Sequence, residues 1–260
     1  MYRFLLSRRW LGFAAVVLLL LAICVRAGMW QMDKHDARVS ENRVARANLL
    51  ADPRPLEEVV PAGSSVDPGD EWATVRAQGV YDVENEIVVR FSTRDGAPGV
   101  DVVTPLLLDD GSAVLVDRGW IQTLNNGERP DVVPPPPSGE VEVVGWVRPD
   151  SGARDEAVTP VDRQVRAINS EAVASSLGLD LRSGYLNLQE QTGGTDALAT
   201  EPLPDLGQGP HFFYALQWWF FGLLALVGYF WFAHAEARDR REGGPERQRS
   251  RPASSRVTRG

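Results

Sequence analysis

His211-Phe212-Phe213-Tyr214-Ala215-Leu216-Gln217-Trp218-Trp219-Phe220-Phe221-Gly222 opens a run that continues to Ala233 without a charged residue. Phe212 to Ala233 is 22 residues, about 33 Å of helix against a hydrocarbon core of about 30 Å. The run reads as a membrane-spanning helix with a potential metal ligand, His211, at its mouth. A second uncharged run, Trp10 to Val25, reaches about 30 Å when extended through Met29. Arg26 then snorkels to the interface and Trp30 anchors there. The rival reading is a cleaved signal peptide, with Arg3, Arg8 and Arg9 as its basic region and Val25-Arg26-Ala27 as its cleavage site. A lipoprotein site at Cys24 is the third. A retained anchor is favoured.

Arginines set the expected topology. Arg3, Arg8 and Arg9 precede the first crossing, and Arg238, Arg240 and Arg241 follow the second. The positive-inside rule then puts both termini in the cytoplasm of a plasma-membrane protein. Residues 1–9 carry +3 and residues 234–260 carry +4, so with a total of −8 the segment between carries −15. The expected order is a cytoplasmic start over 1–9, a helix over 10–30, an exported domain over 31–210, a helix over 211–233 and a disordered basic tail over 234–260. So acidic a domain argues against nucleic acid as a partner and leaves the lipid bilayer to the helices. Cys24 is the only cysteine, which excludes a disulfide, a Cys-x-x-Cys site and a cysteine nucleophile in the exported part.

Within the exported segment, residues 31–50 lack Gly and Pro and predict a helix that Pro53 and Pro55 end. Residues 57–71 read as loop. Val- and Ile-rich runs predict strands over 72–77, 80–91, 100–108, 113–120, 141–147 and 185–191. Gly79, Asp95-Gly96, Asp109-Asp110-Gly111-Ser112 and Asn125-Asn126-Gly127 supply turns, and Pro134–Pro137 a stiff linker. Ser170–Leu177 predicts a helix closed by Gly178, and residues 192–209 a tether. The expected fold class is two transmembrane α-helices bracketing an α+β domain dominated by antiparallel sheet, with a partial barrel as one form of it.

The residues leave several roles open. His211 caps the helix, ligates a metal or haem iron through a neutral imidazole, or titrates; Tyr214, Trp218 and Trp219 below it line a flat apolar ligand or form an aromatic belt. His35 lies on the same side and raises a bis-histidine site, whereas His234 lies at the cytoplasmic end. Arg118 and Trp120 end the strongest strand, where an arginine fork anchors a propionate or a partner's carboxylate, or else stacks to cover a sheet edge. Trp30 and Gln31 are further contact candidates. Asp109, Asp110 and Asp117 read as turn and solvent carboxylates. No catalytic motif of the common hydrolase or nucleotide-binding kinds occurs, and no enzyme is expected.

Four motifs taken together resemble the Surfeit locus protein 1 family. They are Gly28-x-Trp30-Gln31 with Lys34 and Arg38, Thr104-Pro105-Leu106, Gly111-x-x-Val114-Leu115-Val116-Asp117-Arg118-Gly119-Trp120, and His211-x-x-Tyr214-Ala215-x-Gln217-Trp218. The resemblance implies an assembly factor for haem-copper, aa3-type cytochrome c oxidase, assisting maturation of the catalytic subunit and holding or delivering haem a. His211 then becomes the iron ligand, with the catalytic subunit and haem a synthase as partners. Lys34, Asp117 and Gln122 depart from the family's usual arginine, asparagine and proline. The arginine-rich, nearly lysine-free composition suits an actinobacterium. A haem-independent scaffold for the nascent subunit, and an exported sensor or binding domain with two anchors, are the alternatives.

Overall fold

The computed structural model describes residues 3–124, 129–130, 132–194 and 197–242. Among the described residues the helices are α1 (Arg8–Leu49), α2 (Leu56–Val59), α3 (Asp155–Val158), α4 (Ser170–Leu177) and α5 (His211–Glu242). The strands are β1 (Arg54–Pro55), β2 (Thr74–Tyr81), β3 (Ile87–Arg94), β4 (Ala97–Leu108), β5 (Ala113–Gln122), β6 (Glu140–Arg148), β7 (Gln164–Val165) and β8 (Leu181–Gln191). Two compact units result, residues 1–39 with 207–260, and residues 40–206.

The first unit is an antiparallel helix pair. Both α1 and α5 are long and apolar enough to cross a membrane, and side chains such as Leu18, Leu19, Phe230 and Trp231 stay exposed, which points to a membrane protein. The covered positions of α1 include Trp10, Ala14, Val17, Leu21, Cys24, Gly28, Gln31 and His35, at alternating steps of four and three, with Ala27 and Met32 beside them. This is the seam of a left-handed coiled-coil contact, and α5 answers with His211, Ala215, Trp218 and Gly222. Small residues let the backbones approach, since without a hydrophobic drive in lipid the attraction comes from close packing. A Cβ on Gly222 would press to 3.2 Å from the Cys24 Cβ. At the far end, Trp10 packs edge-on against Tyr229 at 5.7 Å.

The seam also explains a departure from expectation. Residues 234–260 are expected to be a disordered tail, yet α5 remains helical to Glu242. Ala233 and Ala237 continue its buried side, and Glu236 pairs with Arg240 at 2.9 Å one turn on, a spacing that supports helix. Residues 243–260 lie outside the described residues.

The second unit is a closed barrel. β2, β6, β8, β5 and β4 follow one another around a ring that the β2–β4 pairing closes; every pairing in the ring is antiparallel except β5 with β8. Closure removes the exposed edges an open sheet would leave. β2 shows the alternation of a strand with one face inward, whereas β5 is buried on both faces. Val114 and Val116 face the main core, with α2 contributing Leu56 and Val59 to it, and Leu115 joins a second core with Val173 of α4. β3 pairs outside the ring along the first half of β4, and the two-residue β7 flanks it.

The hairpins expected at Asp95-Gly96 and Asp109–Ser112 are present; Asp95 and Gly96 have φ of 50° and 79°, the left-handed pair that a two-residue hairpin demands. α4 begins under the Asn169 side chain, which accepts from Ala172 N at 2.9 Å, and stops at Gly178 as predicted. Asn125, Asn126 and Gly127 lie outside the described residues. Two further expectations fail. Residues 56–59 form α2 inside the predicted loop, because Leu56 and Val59 have a core to enter. Gly79 does not break a strand: it lies inside β2, where a Cβ would collide with the Leu107 carbonyl of β4. The bare backbone is what lets the barrel close there, and the chain turns instead at Val83–Asn85.

Candidate functional site

The motif residues separate into two groups of different chemistry. On the helix pair, His211 Nδ1 lies 2.8 Å from Gln31 Oε1. With the amide oxygen as acceptor, Nδ1 is the donor, and in the neutral imidazole that leaves the Nε2 lone pair for a metal. Gln31 therefore selects and orients one imidazole nitrogen. One layer deeper, the place a Cβ on Gly28 would occupy is filled by the indole of Trp219. Ala215 is fully buried between these contacts. Arg38 donates from Nε to the Gly207 carbonyl at 2.7 Å, tying down the chain just before α5.

Other expected positions distribute around this pair. Trp30 is 53% exposed, as an interfacial anchor should be. Trp218 is half-buried on the seam, whereas Tyr214 and Trp219 retain exposed faces. His35 sits one turn beyond Gln31, with its ring 5.7 Å from that of Phe212 and a buried Nδ1 that has no hydrogen-bond partner. His234 is exposed at the opposite end of α5. Among the described residues no group of three or more His, Cys, Asp or Glu is placed to hold a metal ion. A single oriented imidazole beside exposed aromatic faces fits a planar iron macrocycle, which brings its own equatorial ligands, better than a bare cation.

The second group lies inside the barrel unit. Arg118 is 0% exposed and donates to Glu86 Oε2 at 3.1 Å and to the Pro134 carbonyl at 2.7 Å. Arg129 takes Glu86 Oε1 at 3.1 Å, and Thr104 Oγ1 lies 3.2 Å from Oε2. A buried carboxylate is tolerable only with such saturation. The Arg118 fork is thus used on an internal carboxylate, not offered at a surface to a propionate or a partner. The arginine stacked on Trp120 is Arg94, at 5.8 Å, while Trp120 Nε1 donates to the Ser92 carbonyl at 3.2 Å.

Between Arg118 and Trp120, Gly119 has φ of 132°, a backbone region closed to residues with a Cβ. The segment expected to be a plain tether crosses directly over it: Trp120 N donates to Ala199 O at 2.8 Å and Ala199 N returns to Trp120 O at 2.9 Å. Leu198 fills a small core there.

Asp110 keeps its predicted turn role, accepting from Ser112 N at 2.9 Å; it also pairs with the buried Arg182. Asp109 lines an open cleft nearby. Asp117 does not face solvent. It is 6% exposed and accepts from Gly119 N at 3.1 Å and Asn187 Nδ2 at 3.0 Å. Burial first, then the charges of Asp101 and Glu201, raise its pKa well above the ordinary carboxyl range. Asp101 and Glu201 are also raised, burial outweighing Arg94, although Arg94 reaches them at 3.1 and 2.8 Å. With Arg148, Asn187 and Tyr185, whose hydroxyl burial pushes up to about 12, they line a cleft of about 410 Å³. Glu86, Asp101 and Glu201 carry no motif around them, and nothing in their neighbours along the chain signals that they gather.

These two groups coincide with matches to known proteins. The family model described as the SURF1 family matches residues 18–223. The chain belongs to the SURF1 family. SURF1-like proteins of Mycobacterium bovis and of two Mycobacterium tuberculosis strains are each 33% identical over 243 residues, covering 92% of this chain and 88% of each relative. The SURF1 match runs from within the first apolar segment to within the second and includes the whole barrel, so helix-pair and barrel motifs belong to one protein type.

Proposed function

We propose that this SURF1-family protein is an assembly factor for aa3-type haem-copper cytochrome c oxidase, holding haem a at the head of α5 for the oxidase's catalytic subunit. The observation that carries the reading is the Gln31–His211 hydrogen bond of 2.8 Å, because an imidazole oriented through Nδ1 would offer Nε2 to the iron. Family membership supports the oxidase as the client. Haem a, once delivered, supplies the iron at which the oxidase transfers electrons. This chain's residues would bind and orient the group: His211 would hold the iron through Nε2, Gln31 would fix the ring at Nδ1, and the exposed faces of Tyr214 and Trp219 with the half-buried Trp218 would cover the macrocycle or its apolar tail. The role is non-catalytic.

In this reading both termini are cytoplasmic and the barrel is outside, supported by arginines at both cytoplasmic ends. Haem a synthase is the donor partner. A haem-independent scaffold is the second reading, favoured by one observation: Trp219 packs into the space over Gly28, which leaves less of its ring for a ligand.

Deletion followed by a reduced-minus-oxidised spectrum of membranes tests the client. Loss of the oxidase haem bands is expected, and normal oxidase haem and activity would overturn the assembly role. Purified protein titrated with haem a tests the ligand. His211→Ala is expected to abolish the bound-haem spectrum, and unchanged stoichiometry and spectrum would leave only the scaffold.

A further inference from the structure

The strand outside the ring presents a side chain that the barrel does not bury. At the register shift in β3, Arg90 and Phe91 stand opposite a single β4 residue, Val100. Such a bulge re-aims side chains and is common beside functional sites. Phe91 has φ of 67°, a conformation an aromatic residue rarely adopts and one that persists only where surroundings impose it. Phe91 is 49% exposed, although Val88 and Val100 beside it are fully buried.

Two guanidiniums bracket that ring. Arg90 lies 4.8 Å and Arg166 5.4 Å from its centroid. Arg166 follows β7, which is parallel to β3 at Val88 and Val89. Among the described residues neither arginine makes an ion pair. Arg90 Nε is buried with no hydrogen-bond partner. A strained, exposed aromatic between two cations without ion-pair partners therefore sits in a segment whose net charge is −15. Aromatic and arginine side chains are the usual anchors of protein interfaces, and an arginine fork matches a carboxylate.

We infer that Phe91, Arg90 and Arg166 form a docking surface for an acidic segment of a partner protein, the ring covering an apolar side chain and the guanidiniums taking carboxylates. An anionic membrane fits less well, because the acidity of the whole segment repels a lipid surface while a short acidic strand meets only the local patch. The partner's identity rests on the proposed function, under which it is the oxidase's catalytic subunit.

The test places a photoreactive benzoylphenylalanine at position 91 of the full chain in its native membranes, with a control probe at Leu107, an exposed position on the ring strand β4. Expected is an adduct with an acidic peptide of the catalytic subunit, falling at least ten-fold on Arg90→Glu with Arg166→Glu and weakening at high salt. Adducts with lipid alone, with a second copy of this chain, or indifferent to charge reversal overturn the inference. Capture of the subunit at Leu107 and not at 91 overturns it while leaving the assembly role standing; no capture at either position overturns it too, and the deletion spectrum judges the assembly role separately. Phe91→Gly supplies a second readout: it relieves the backbone, so the melting temperature is expected to hold or rise while co-purified subunit falls at least ten-fold. A lower melting temperature with unchanged co-purification would assign Phe91 to packing.

Discussion

Replacing Arg118 by Met separates a structural arginine from a contact residue. The substitution leaves Glu86, 3% exposed, with Arg129 at 3.1 Å and the Thr104 hydroxyl at 3.2 Å, and it removes the donor to the Pro134 carbonyl. Breaking a buried ion pair from one side costs about 3–5 kcal/mol, most of it the stranded charge. A domain's whole stability is about 5–15 kcal/mol, so the barrel would be brought near its limit. The remaining Arg129 is 30% exposed, and solvent screens its attraction more than that of the fully buried Arg118, so it offsets only part of the loss. Glu86→Gln with Arg118→Met has no stranded charge and is expected to recover at least about 2 kcal/mol of the single variant's loss, as apolar or neutral replacements of buried pairs usually do. Urea unfolding of the full chain in detergent, followed by the fluorescence of the barrel tryptophans, measures both. Oxidase haem in membranes should track the amount of folded protein and return with the double variant. A cost below about 1 kcal/mol for Arg118→Met, or lost oxidase haem at full stability, would refute the internal role.

Asp117→Asn tests the buried carboxyl. A group whose folded pKa is raised binds its proton more tightly when folded, so stability is greatest at acid pH and falls as pH climbs from the ordinary carboxyl range through the raised value. The asparagine, with Asn187 turned to present its oxygen, should be more stable than wild type at neutral pH by at least about 1 kcal/mol, because no ionisable group then has to be held out of water. In acid the difference should vanish. Equal pH slopes in unfolding would contradict the burial assignment. Gly119→Ala has both a forbidden φ and the Ala199 carbonyl against it; a loss of about 1–3 kcal/mol is expected from the backbone alone, and a neutral result would mean the crossing segment moves freely. Gly28→Leu should part the helices at Trp219 and break the Gln31–His211 bond. A melting temperature and haem spectrum equal to wild type would show that the close approach is unnecessary.

Much of the molecule was legible because its signals are local. A charge-free run longer than the hydrocarbon core marks α5, and a shorter one that Arg26–Met29 bring to about 30 Å marks α1; the α4 stop at Gly178 and the hairpins at Asp95-Gly96 and Asp109–Ser112 follow from residues that accept left-handed backbone. The alternating seam from Trp10 to His35 was also present in the residues, but burial was needed to distinguish its covered side from a lipid-facing one, both being apolar. Glycine carried an ambiguous message. Gly79 signals a turn when read alone and a close backbone approach when β4 lies beside it.

What the tertiary structure decided is where charge resides. Sequence determined that His211 heads an apolar helix and that the chain bears the SURF1 motifs, since each depends on neighbours within a few residues. That Gln31, 180 positions away, fixes the imidazole depends on two helices meeting in one register. The same holds for Arg118, which turns inward to Glu86, and for Asp117, which is held among Asp101 and Glu201 away from solvent. An ionisable side chain in a sequence carries no record of its dielectric surroundings, and only closure of the barrel decides which carboxylates are paired, which are crowded and which arginines remain at the surface.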